Sequence, residues 1–467
     1  MEIKFIGAAR TVTGSKHLIT TDKGVKILLD CGLFQNKGSD HETRNRHLGF
    51  DPITIDVMIL SHAHIDHSGN IPTLVKQGYK GKIYCTPATL ALCEVLLADS
   101  GHIHESDIAY INKNREKKGM KLLEPLYTLA DVTECLKQFK TIEYDKFFKI
   151  DEDIEFAFTN TGHILGSAAI SLRIKENGHK KKVCFTGDIG RPHDKILKTP
   201  SPFPQADYII CESTYGNRLH DTSENAEKKL LEVVLKTCVE KKGKLIIPAF
   251  SLGRTQEIVY ALDRMKRKGI LPSIKVYVDS PLSVNITDIM RRNSGYFNKD
   301  ILNYIYSDPD PFGFNGLTYI KEPKDSIALN SSHEPCIIIS ASGMMEAGRV
   351  KHHLKNNLPS ANNTVLIVGY CPKNSLGDRL LHGDKEVTIY GKPIAVNADI
   401  EVIHSYSSHG DYKEMIHYLE CQEKHLIKKL FLVHGEYDVQ LEYAETLKQA
   451  GFFHIEIPEE GEVYKLD

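Results

Sequence analysis

The chain reads VMILSHAHIDH from Val57 to His67. The first four residues are apolar, as expected for a short buried strand, and the polar residues begin where that strand would end. A spacing of two lets His62 and His64 converge on one ion, while Asp66 and His67 can face a second ion nearby. The alternative is a polar loop with hydrogen-bonded histidines, which rarely crowds so many ligand-type side chains together. This stretch therefore predicts a site for two metal ions at a strand end.

Three more ligand-type side chains follow apolar runs and have a glycine beside them: His163 in TGH, Asp188 in TGD and His434 in VHG. One loop cannot surround two cations, so the remaining ligands must come from other strand ends, where glycine allows close approach. A lone histidine is usually structural, but given the first stretch we expect all three to be ligands. Asp30 follows the apolar run Ile27–Leu29 and fits an outer carboxylate that orients a ligand histidine.

The composition is that of an ordinary globular protein. The chain has 467 residues, of which 41% are hydrophobic and 26% charged, and a net charge of −2. This length predicts two or three domains. The near-neutral charge excludes a general attraction to nucleic acid or membranes, so any polyanion must be held locally. The 22 histidines beside no tryptophan direct attention to metal chemistry.

Localisation and redox state follow from what the sequence lacks. No stretch approaches the roughly 18 consecutive apolar residues of a membrane span. The first ten residues, MEIKFIGAAR, lack the charged-then-apolar layout of a signal peptide. We therefore expect a cytoplasmic protein with no membrane partner. The ten cysteines show neither a CxxC knuckle nor a dense scaffold of pairs, which predicts buried free thiols.

Apolar periodicity changes along the chain. Up to about Thr186, short strands surround one helix expected between Thr86 and Tyr110, which indicates stacked mixed sheets with helices outside. From Tyr208, strands and helices alternate regularly, which predicts right-handed crossovers and a parallel sheet. After about Ala395 a mainly strand-like pattern returns, including a strand expected over Ile400–Ser405.

Four polar segments follow strands of the predicted parallel sheet: AFSLGR, DSPLS, SASGMME and GYCPKNSLGDR, which begin at Ala249, Asp279, Ser340 and Gly369. Ligands of parallel sheets bind at the carboxyl ends of strands, and short hydroxyls with open backbone amides suit a phosphate or sugar edge. Each segment alone is as readily a turn. Four together favour a binding site.

In order and spacing, these motifs resemble those of the metallo-β-lactamase superfamily: Asp30, the stretch His62–His67, His163 and Asp188. The chain also resembles the β-CASP branch of that superfamily, which inserts an α/β domain before the final ligand. The three extra motifs of the branch match Glu212 in CEST, the stretch SSHGD from Ser407 to Asp411, and His434. The phenylalanine usual before the second of these is Tyr406 here.

The resemblance covers nearly the whole chain. It implies an α/β fold, namely a metallo-β-lactamase αββα sandwich with an inserted parallel-sheet α/β β-CASP domain. It places the first part of the metallo-β-lactamase domain at 1–208, the β-CASP domain at 209–395 and the final part of the metallo-β-lactamase domain at 396–467.

The resemblance also implies two zinc ions per chain, with manganese as an alternative. One ion would be held by His62, His64 and His163 and the other by Asp66, His67 and His434, with Asp188 bridging both. The nucleophile would be a metal-bound hydroxide, because zinc lowers the pKa of bound water to about 7.

A proton for the leaving oxygen would come from His409. A carboxylate such as Glu212 raises the pKa of a neighbouring histidine and keeps it protonated. Asp66 and Asp30 complete the candidate catalytic set. The alternative for His409 is a structural histidine before the predicted helix Tyr412–Glu420. The candidate substrate contacts are Arg254, Ser342, Gly343 and Ser407.

The function implied by the resemblance is zinc-dependent hydrolysis of single-stranded RNA, most simply as an endonuclease. A homodimer is a candidate assembly, on which the sequence carries no signal. The chain resembles the compact bacterial and archaeal relatives of the cleavage and polyadenylation factor endonuclease subunit. RNA-acting members carry histidine at the position of His434, whereas DNA-acting members tend to carry an aliphatic residue. The alternatives are a DNA nuclease, a 5′-exoribonuclease, a non-catalytic RNA-binding subunit and a small-molecule hydrolase.

Overall fold

The computed structural model describes residues 1–35, 40–220, 223–369, 371, 375–403 and 407–467. In chain order its strands are β1 (Glu2–Gly7), β2 (Lys16–Thr20), β3 (Lys26–Leu29), β4 (Val57–Ile59), β5 (Lys82–Cys85), β6 (Phe139–Thr141), β7 (Phe148–Lys149), β8 (Ile154–Asn160), β9 (Ala168–Glu176), β10 (His179–Phe185), β11 (Tyr208–Glu212), β12 (Lys244–Pro248), β13 (Lys275–Asp279), β14 (Leu317–Ile320), β15 (Cys336–Ser340), β16 (Thr364–Ile367), β17 (Glu386–Ile389), β18 (Lys392–Ala395), β19 (Asp399–Val402), β20 (Lys429–Val433), β21 (Ile455–Glu456) and β22 (Val463–Lys465).

The α-helices, again in chain order, are α1 (Asp40–Arg46), α2 (Ile65–Ser68), α3 (Ile71–Lys76), α4 (Pro87–Lys117), α5 (Leu129–Leu136), α6 (Ser223–Val234), α7 (Arg254–Arg267), α8 (Pro281–Arg292), α9 (Lys299–Ile305), α10 (Pro323–Ser331), α11 (Val350–Asn357), α12 (Leu376–Leu381), α13 (Tyr412–Leu419) and α14 (Tyr437–Gln449). Helix α6 continues as a π-helix over Leu235–Glu240.

The chain divides into two compact units. The first unit consists of Met1–Leu219 together with His409–Asp467, and the second unit is His220–Ser408. The domain boundaries predicted from sequence, 208/209 and 395/396, stay predictions, because a compact unit and a family domain are defined differently.

The first unit is a sandwich of two seven-stranded sheets, with strand orders β22-β1-β2-β3-β4-β5-β6 and β21-β20-β11-β10-β9-β8-β7. The facing sides of the sheets enclose one apolar core, to which Phe5 contributes from one sheet and Phe185 from the other. Because side chains alternate across a strand, Phe431 enters this core while its neighbours Leu430 and Leu432 face the opposite side.

Helices cover the outside of this sandwich. Helices α13 and α14 pack on the second sheet and bury Met415, Leu419 and Leu447 against its outer side chains. Helix α4 contacts α2, α5 and strand β6. It runs to Lys117, well beyond the predicted end at Tyr110. The layers therefore follow the predicted αββα order.

The second unit contains a six-stranded sheet with the order β14-β13-β15-β12-β16-β19. Every strand pair in it is parallel, as the alternation of strands and helices predicts. Its apolar core includes Ile246, Ile338 and Val365. Strand β19 ends at Val402, and the last residues of the strand predicted to Ser405 lie outside the described residues.

All ten cysteines are free. Nine are buried as predicted, but Cys421 is exposed, because it lies just after the end of α13. In the part of the chain that the structure describes, no helix has both the length and the apolar character needed to cross a bilayer.

Candidate metal centre

Parallel strands bring the predicted ligands to one edge of each sheet. In the first sheet β3 and β4 are parallel neighbours, so Asp30 after β3 lies beside the loop that follows β4. In the second sheet β10, β11 and β20 are parallel neighbours. Asp188, Glu212 and His434 therefore lie at or just past adjacent carboxyl ends. Face-to-face packing of the sheets brings the two edges together.

Four side chains form the first cluster: His62, His64, His163 and Asp188. Their ligand atoms all lie within 4.8 Å of one another. The Nε2 atoms of His62 and His163 each lie 3.3 Å from Asp188 Oδ2. His64 Nδ1 lies 3.2 Å and 3.1 Å from the same two nitrogens. Bonds of 2.0–2.1 Å give a metal tetrahedron edges of about 3.3–3.4 Å, so these separations suit one tetrahedral divalent ion.

Asp66, His67 and His434 form the second cluster. His434 Nε2 lies 3.4 Å from Asp66 Oδ2, and His67 Nε2 lies 3.2 Å from Asp188 Oδ1. Since Oδ2 of Asp188 belongs to the first cluster, the two oxygens of this one carboxylate face the two clusters. A ligand that bridges two cations needs this arrangement.

The donor atoms fit divalent cations. Burial lowers the pKa of His62 to about 3 and that of His64 to about 4, so both imidazoles are neutral and keep a lone pair. Burial opposes ionisation of Asp188, but the surrounding histidines hold its pKa well below the usual range. His67 Nε2 and Asp188 Oδ1 are buried and lie 3.2 Å apart, but neither has a partner with hydrogen-bond geometry among the described residues. Orphaned buried polar atoms are costly, and a cation would satisfy both.

Asp30 lies behind the second cluster. It is fully buried, and its Oδ2 lies 2.6 Å from His67 Nδ1. It also accepts hydrogen bonds from Ser61 N and Ser61 Oγ, each at 2.7 Å. With Nδ1 engaged by Asp30, Nε2 is the nitrogen that His67 presents to Asp188. Sequence reasoning did not select Ser61, although its place directly before His62 is a signal that could have found it.

A histidine–glutamate pair lies beside the first cluster. Nδ1 of His409 lies 3.1 Å from both carboxylate oxygens of Glu212, and its Nε2 lies 3.9 Å from Asp188 Oδ2. Glu212 is buried and also accepts hydrogen bonds from Ile189 N at 2.5 Å and Thr214 N at 3.3 Å. Four interactions thus hold this carboxylate in place.

The same surroundings favour a protonated His409. Burial lowers the pKa of His409, but Glu212 and Asp188 outweigh burial and raise it to about 9. The side chain keeps 18% of its surface exposed, so a ligand could approach it. The N-cap of α13 is Asp411, so His409 is not needed to start that helix.

His434 and Asp30 both have left-handed backbone conformations, with φ of 53° and 58°. Residues with a Cβ rarely adopt them, and they persist where surrounding contacts hold them. For His434 one contact is its N–H, which donates to Ala8 O at 2.7 Å. Another is Thr214 Oγ1, which lies 3.0 Å from His434 Nδ1. Thr214 was also missed from sequence, where its only signal is its nearness to Glu212.

The second unit holds the predicted substrate contacts. Strands β12 and β15 pair with Pro248 opposite Ser340, so the segments that follow them lie side by side. A Cβ added to Gly343 would lie 2.8 Å from the Phe250 ring, which shows how closely these two loops pack. Ser342 Oγ donates to Ala347 O at 3.3 Å.

Arg254 and Ser407 differ in how far the structure supports them as contacts. Arg254 is buried and forms an ion pair with Glu257 in the first turn of α7, so its guanidinium already has a carboxylate partner. Ser407 is half-buried. Tyr406, which precedes it, lies outside the described residues, as do Tyr370 and residues 372–374 of the fourth predicted segment.

Family models match most of the chain. The Metallo-beta-lactamase superfamily model matches residues 14–248, the Beta-Casp domain model matches 255–380, and the model of the Zn-dependent metallo-hydrolase RNA specificity domain matches 393–458. The chain therefore belongs to the metallo-β-lactamase superfamily, in the branch that carries a β-CASP domain. The predicted family and fold class are confirmed. Membership implies divalent metal binding, for which the centre described above is the candidate site.

Several named proteins are similar to this chain along most of its length. Ribonuclease TTHA0252 of Thermus thermophilus is 32% identical over 97% of each chain. An RNase J-like protein of Methanocaldococcus jannaschii is 31% identical over 95% of each chain. Transcription termination factor FttA of Methanosarcina mazei is 31% identical over 96% of this chain and 69% of its own.

A solved structure shares the fold at much lower identity. The crystal structure of a protein of unknown function from Enterococcus faecalis V583 aligns with a TM-score of 0.52 and 12% identity. The alignment covers 100% of this chain and 99% of the Enterococcus faecalis chain.

Proposed function

We propose that this protein is a metal-dependent ribonuclease that hydrolyses phosphodiester bonds of single-stranded RNA as an endonuclease. One observation carries the proposal: the two carboxylate oxygens of Asp188 face two histidine-rich clusters, and the His409–Glu212 pair lies beside them. Two adjacent cations with a nearby proton donor suit phosphodiester hydrolysis. A relative that is 32% identical is named a ribonuclease, and the RNA specificity model matches residues 393–458.

The proposed metals are two zinc ions. His62, His64 and His163 would hold one, Asp66, His67 and His434 the other, and Asp188 both. Imidazole and carboxylate donors at tetrahedral spacing favour zinc, while manganese is the alternative. When bound, the ions would supply Lewis acidity that activates water and offsets negative charge on the phosphate.

The protein's own residues would orient the ligands and supply a proton. Asp30 engages Nδ1 of His67 and so directs Nε2 toward Asp188. Glu212 engages Nδ1 of His409, which leaves the Nε2–H of His409 as the donor toward the leaving oxygen. A positioned general acid contributes about 10²–10⁴-fold to a rate.

The proposed RNA contacts are Ser342, Gly343, Ser407 and Arg254. Ser342 and Gly343 lie in a loop at the carboxyl end of β15, where open backbone and hydroxyl groups suit phosphate oxygens. Arg254 would have to share its guanidinium with Glu257. A cytoplasmic location and a homodimer stay predictions.

The test uses zinc-loaded protein and single-stranded RNA labelled at the 5′ end or the 3′ end. An endonuclease produces labelled fragments of intermediate length from both labelled strands. A 5′-exonuclease instead releases labelled mononucleotides from the 5′-labelled strand. A DNA strand of the same sequence, digested in parallel, separates RNA from DNA specificity. Asp188→Asn and excess chelator should each abolish cleavage. Intact RNA in the presence of protein with two bound metals would contradict the proposal.

A further inference from the structure

The far end of helix α4 carries a basic surface that the metal centre does not use. We call residues Tyr110–Lys121 the α4 tip. Against one acidic residue, Glu116, the tip carries five cationic residues, namely Lys113, Arg115, Lys117, Lys118 and Lys121. The whole chain has a net charge of −2, so this is a strong local excess of positive charge.

The tip is a folded structure. The side chain of Asn112 bonds the backbone of Leu123 twice: its Nδ2 donates to Leu123 O and its Oδ1 accepts from Leu123 N, each at 2.9 Å. Arg115 Nε donates to Lys121 O at 2.7 Å, and Met120 N donates to Arg115 O at 3.0 Å. The chain that leaves the helix is therefore tied back to it, and the lysines occupy a defined surface.

The cationic side chains of the tip face solvent. Lys113, Lys117 and Lys118 are exposed, and no carboxylate in the described part of the chain forms an ion pair with them. Tyr110 is 71% exposed. Helical periodicity places Tyr110, Lys113 and Lys117 on one face, because residues three and four apart are neighbours on a helix.

A simpler role for basic residues at a helix end is to offset the helix dipole. Arg115 and Lys117 lie in the last turn and can do this. Lys118, the C-cap of the helix, can do so as well. The dipole does not account for Lys121, which lies past the helix end, or for the exposed ring of Tyr110. An exposed aromatic ring among unpaired cations is what a single-stranded nucleic acid binds, since bases stack on the ring and phosphates pair with the cations.

We propose that the α4 tip is a second RNA-binding surface, at which Lys113, Lys117 and Lys118 contact phosphates and Tyr110 stacks on a base. The proposal rests on RNA being the substrate, and it adds a determinant of substrate length to that function. The α4 tip belongs to the first unit. It is separate from the metal centre and from the four polar segments that follow strands of the second unit.

The distance from the metal centre to the tip can be estimated from the helix. Thr86, the N-cap of α4, donates its hydroxyl to Gly166 O at 2.7 Å, in the loop that follows His163. Helix α4 extends about 35 Å from its start to Tyr110 and about 46 Å to Lys117, at 1.5 Å per residue. A stacked strand that rises about 3.4 Å per nucleotide needs about 10 to 13 nucleotides to span these lengths. Short RNA would therefore reach the metal centre without reaching the tip.

The experiment compares RNAs of about 6 and about 30 nucleotides, one shorter and one longer than this span. The variant is Lys113→Ala/Lys117→Ala/Lys118→Ala. The control with the same charge change is Lys80→Ala/Lys82→Ala/Lys146→Ala, three exposed lysines of the same unit. Binding is measured by fluorescence anisotropy on metal-loaded protein, with gels showing that the RNA stays intact, and kcat and KM are measured separately.

Each phosphate contact contributes about 0.7 to the slope of log Kd against log salt. Since the tip variant loses three lysines, we expect its slope for the long RNA to fall by about 2. At about 0.1 M salt this corresponds to a 10- to 100-fold weaker Kd. The kcat for both RNAs and the KM for the short RNA should stay unchanged. Tyr110→Ala should weaken long-RNA binding about fivefold or more, whereas Tyr110→Phe should preserve it.

Equal salt slopes for the tip variant and the control variant would overturn the proposal and leave the tip as a surface for a protein partner. If the tip variant lost as much affinity for the short RNA as for the long RNA, the proposal would be overturned too. Thermal unfolding midpoints that match the wild type exclude misfolding as the cause. If the tip binds long RNA but no RNA is cleaved with any metal, the tip stands as an RNA-binding surface, whereas the proposed ribonuclease activity and the role of the tip in substrate length both fail.

Discussion

At the residue scale, two hydrogen bonds decide which ring nitrogen the key histidines present. Asp30 engages Nδ1 of His67, and Glu212 engages Nδ1 of His409. Asp30→Asn keeps the size of the side chain but loses the charged acceptor, so we expect zinc affinity to fall about 10–100-fold. Competition with a chromophoric chelator measures this. Asp107→Asn, on the exposed part of α4, is the control, and equal affinities for the two variants would show that Asp30 has no orienting role.

The proton donor can be tested at the same scale. His409→Ala should lower kcat by about 10²–10⁴-fold, because the leaving oxygen loses its acid, while the metal content stays equal to that of the wild type. His417→Ala removes a histidine exposed on α13 and should leave kcat unchanged. A His409→Ala enzyme with normal turnover would remove this residue from the mechanism.

At the element scale, the centre depends on how closely the loop after β3 approaches the segment that begins α2. Cys31 N, in that loop, donates to His67 O at 2.8 Å. Ser15 N, directly before β2, donates to Asp66 O at the same distance. A Cβ on Gly32 would lie 1.6 Å from Asp66 O. Gly32→Ala must therefore push these segments apart, and we expect it to cost at least about 1–3 kcal/mol in the free energy of unfolding and to reduce metal content.

Chemical denaturation and elemental analysis measure both effects. Gly295→Ala is the control, because a Cβ there meets no atom within 4 Å. Similar stability and metal content for the two alanine variants would show that the loop tolerates displacement, contrary to the backbone contacts described above.

At the scale of the whole molecule, the proposed ligands come from both ends of the chain but all lie in the first unit. Ligands that bind only the folded state stabilise it, by about 2.7 kcal/mol at a hundredfold excess over Kd. Chelation should therefore lower hydrogen-exchange protection around β4, β10 and β20 and leave the six-stranded sheet of the second unit unchanged. Mass spectrometry of peptides from both units measures this protection. An equal loss of protection in the first and the second unit would show that the metal does not act locally.

Local patterns were enough to predict the layers of both units. Alternation of apolar and polar residues, and the change to regular strand–helix alternation after Tyr208, carry the signal for the sandwich and for the parallel sheet. Helix α4 was predicted too short, because its last turns are exposed and lose the apolar spacing that marks a buried helix face. Cys421 was predicted to be buried, since a cysteine in a sequence carries no mark of the helix end that exposes it.

The amino-acid sequence by itself determined the types of the proposed ligands, their positions after strands and the family of the protein, because these depend on residue identity and short spacing. Tertiary structure alone decided that the two oxygens of Asp188 face different clusters, that His67 is the histidine engaged by Asp30, and that Arg254 has a partner in Glu257. Such contacts depend on strand register, sheet packing and side-chain rotamers. Those are set by the whole folded chain and are not encoded in any one segment.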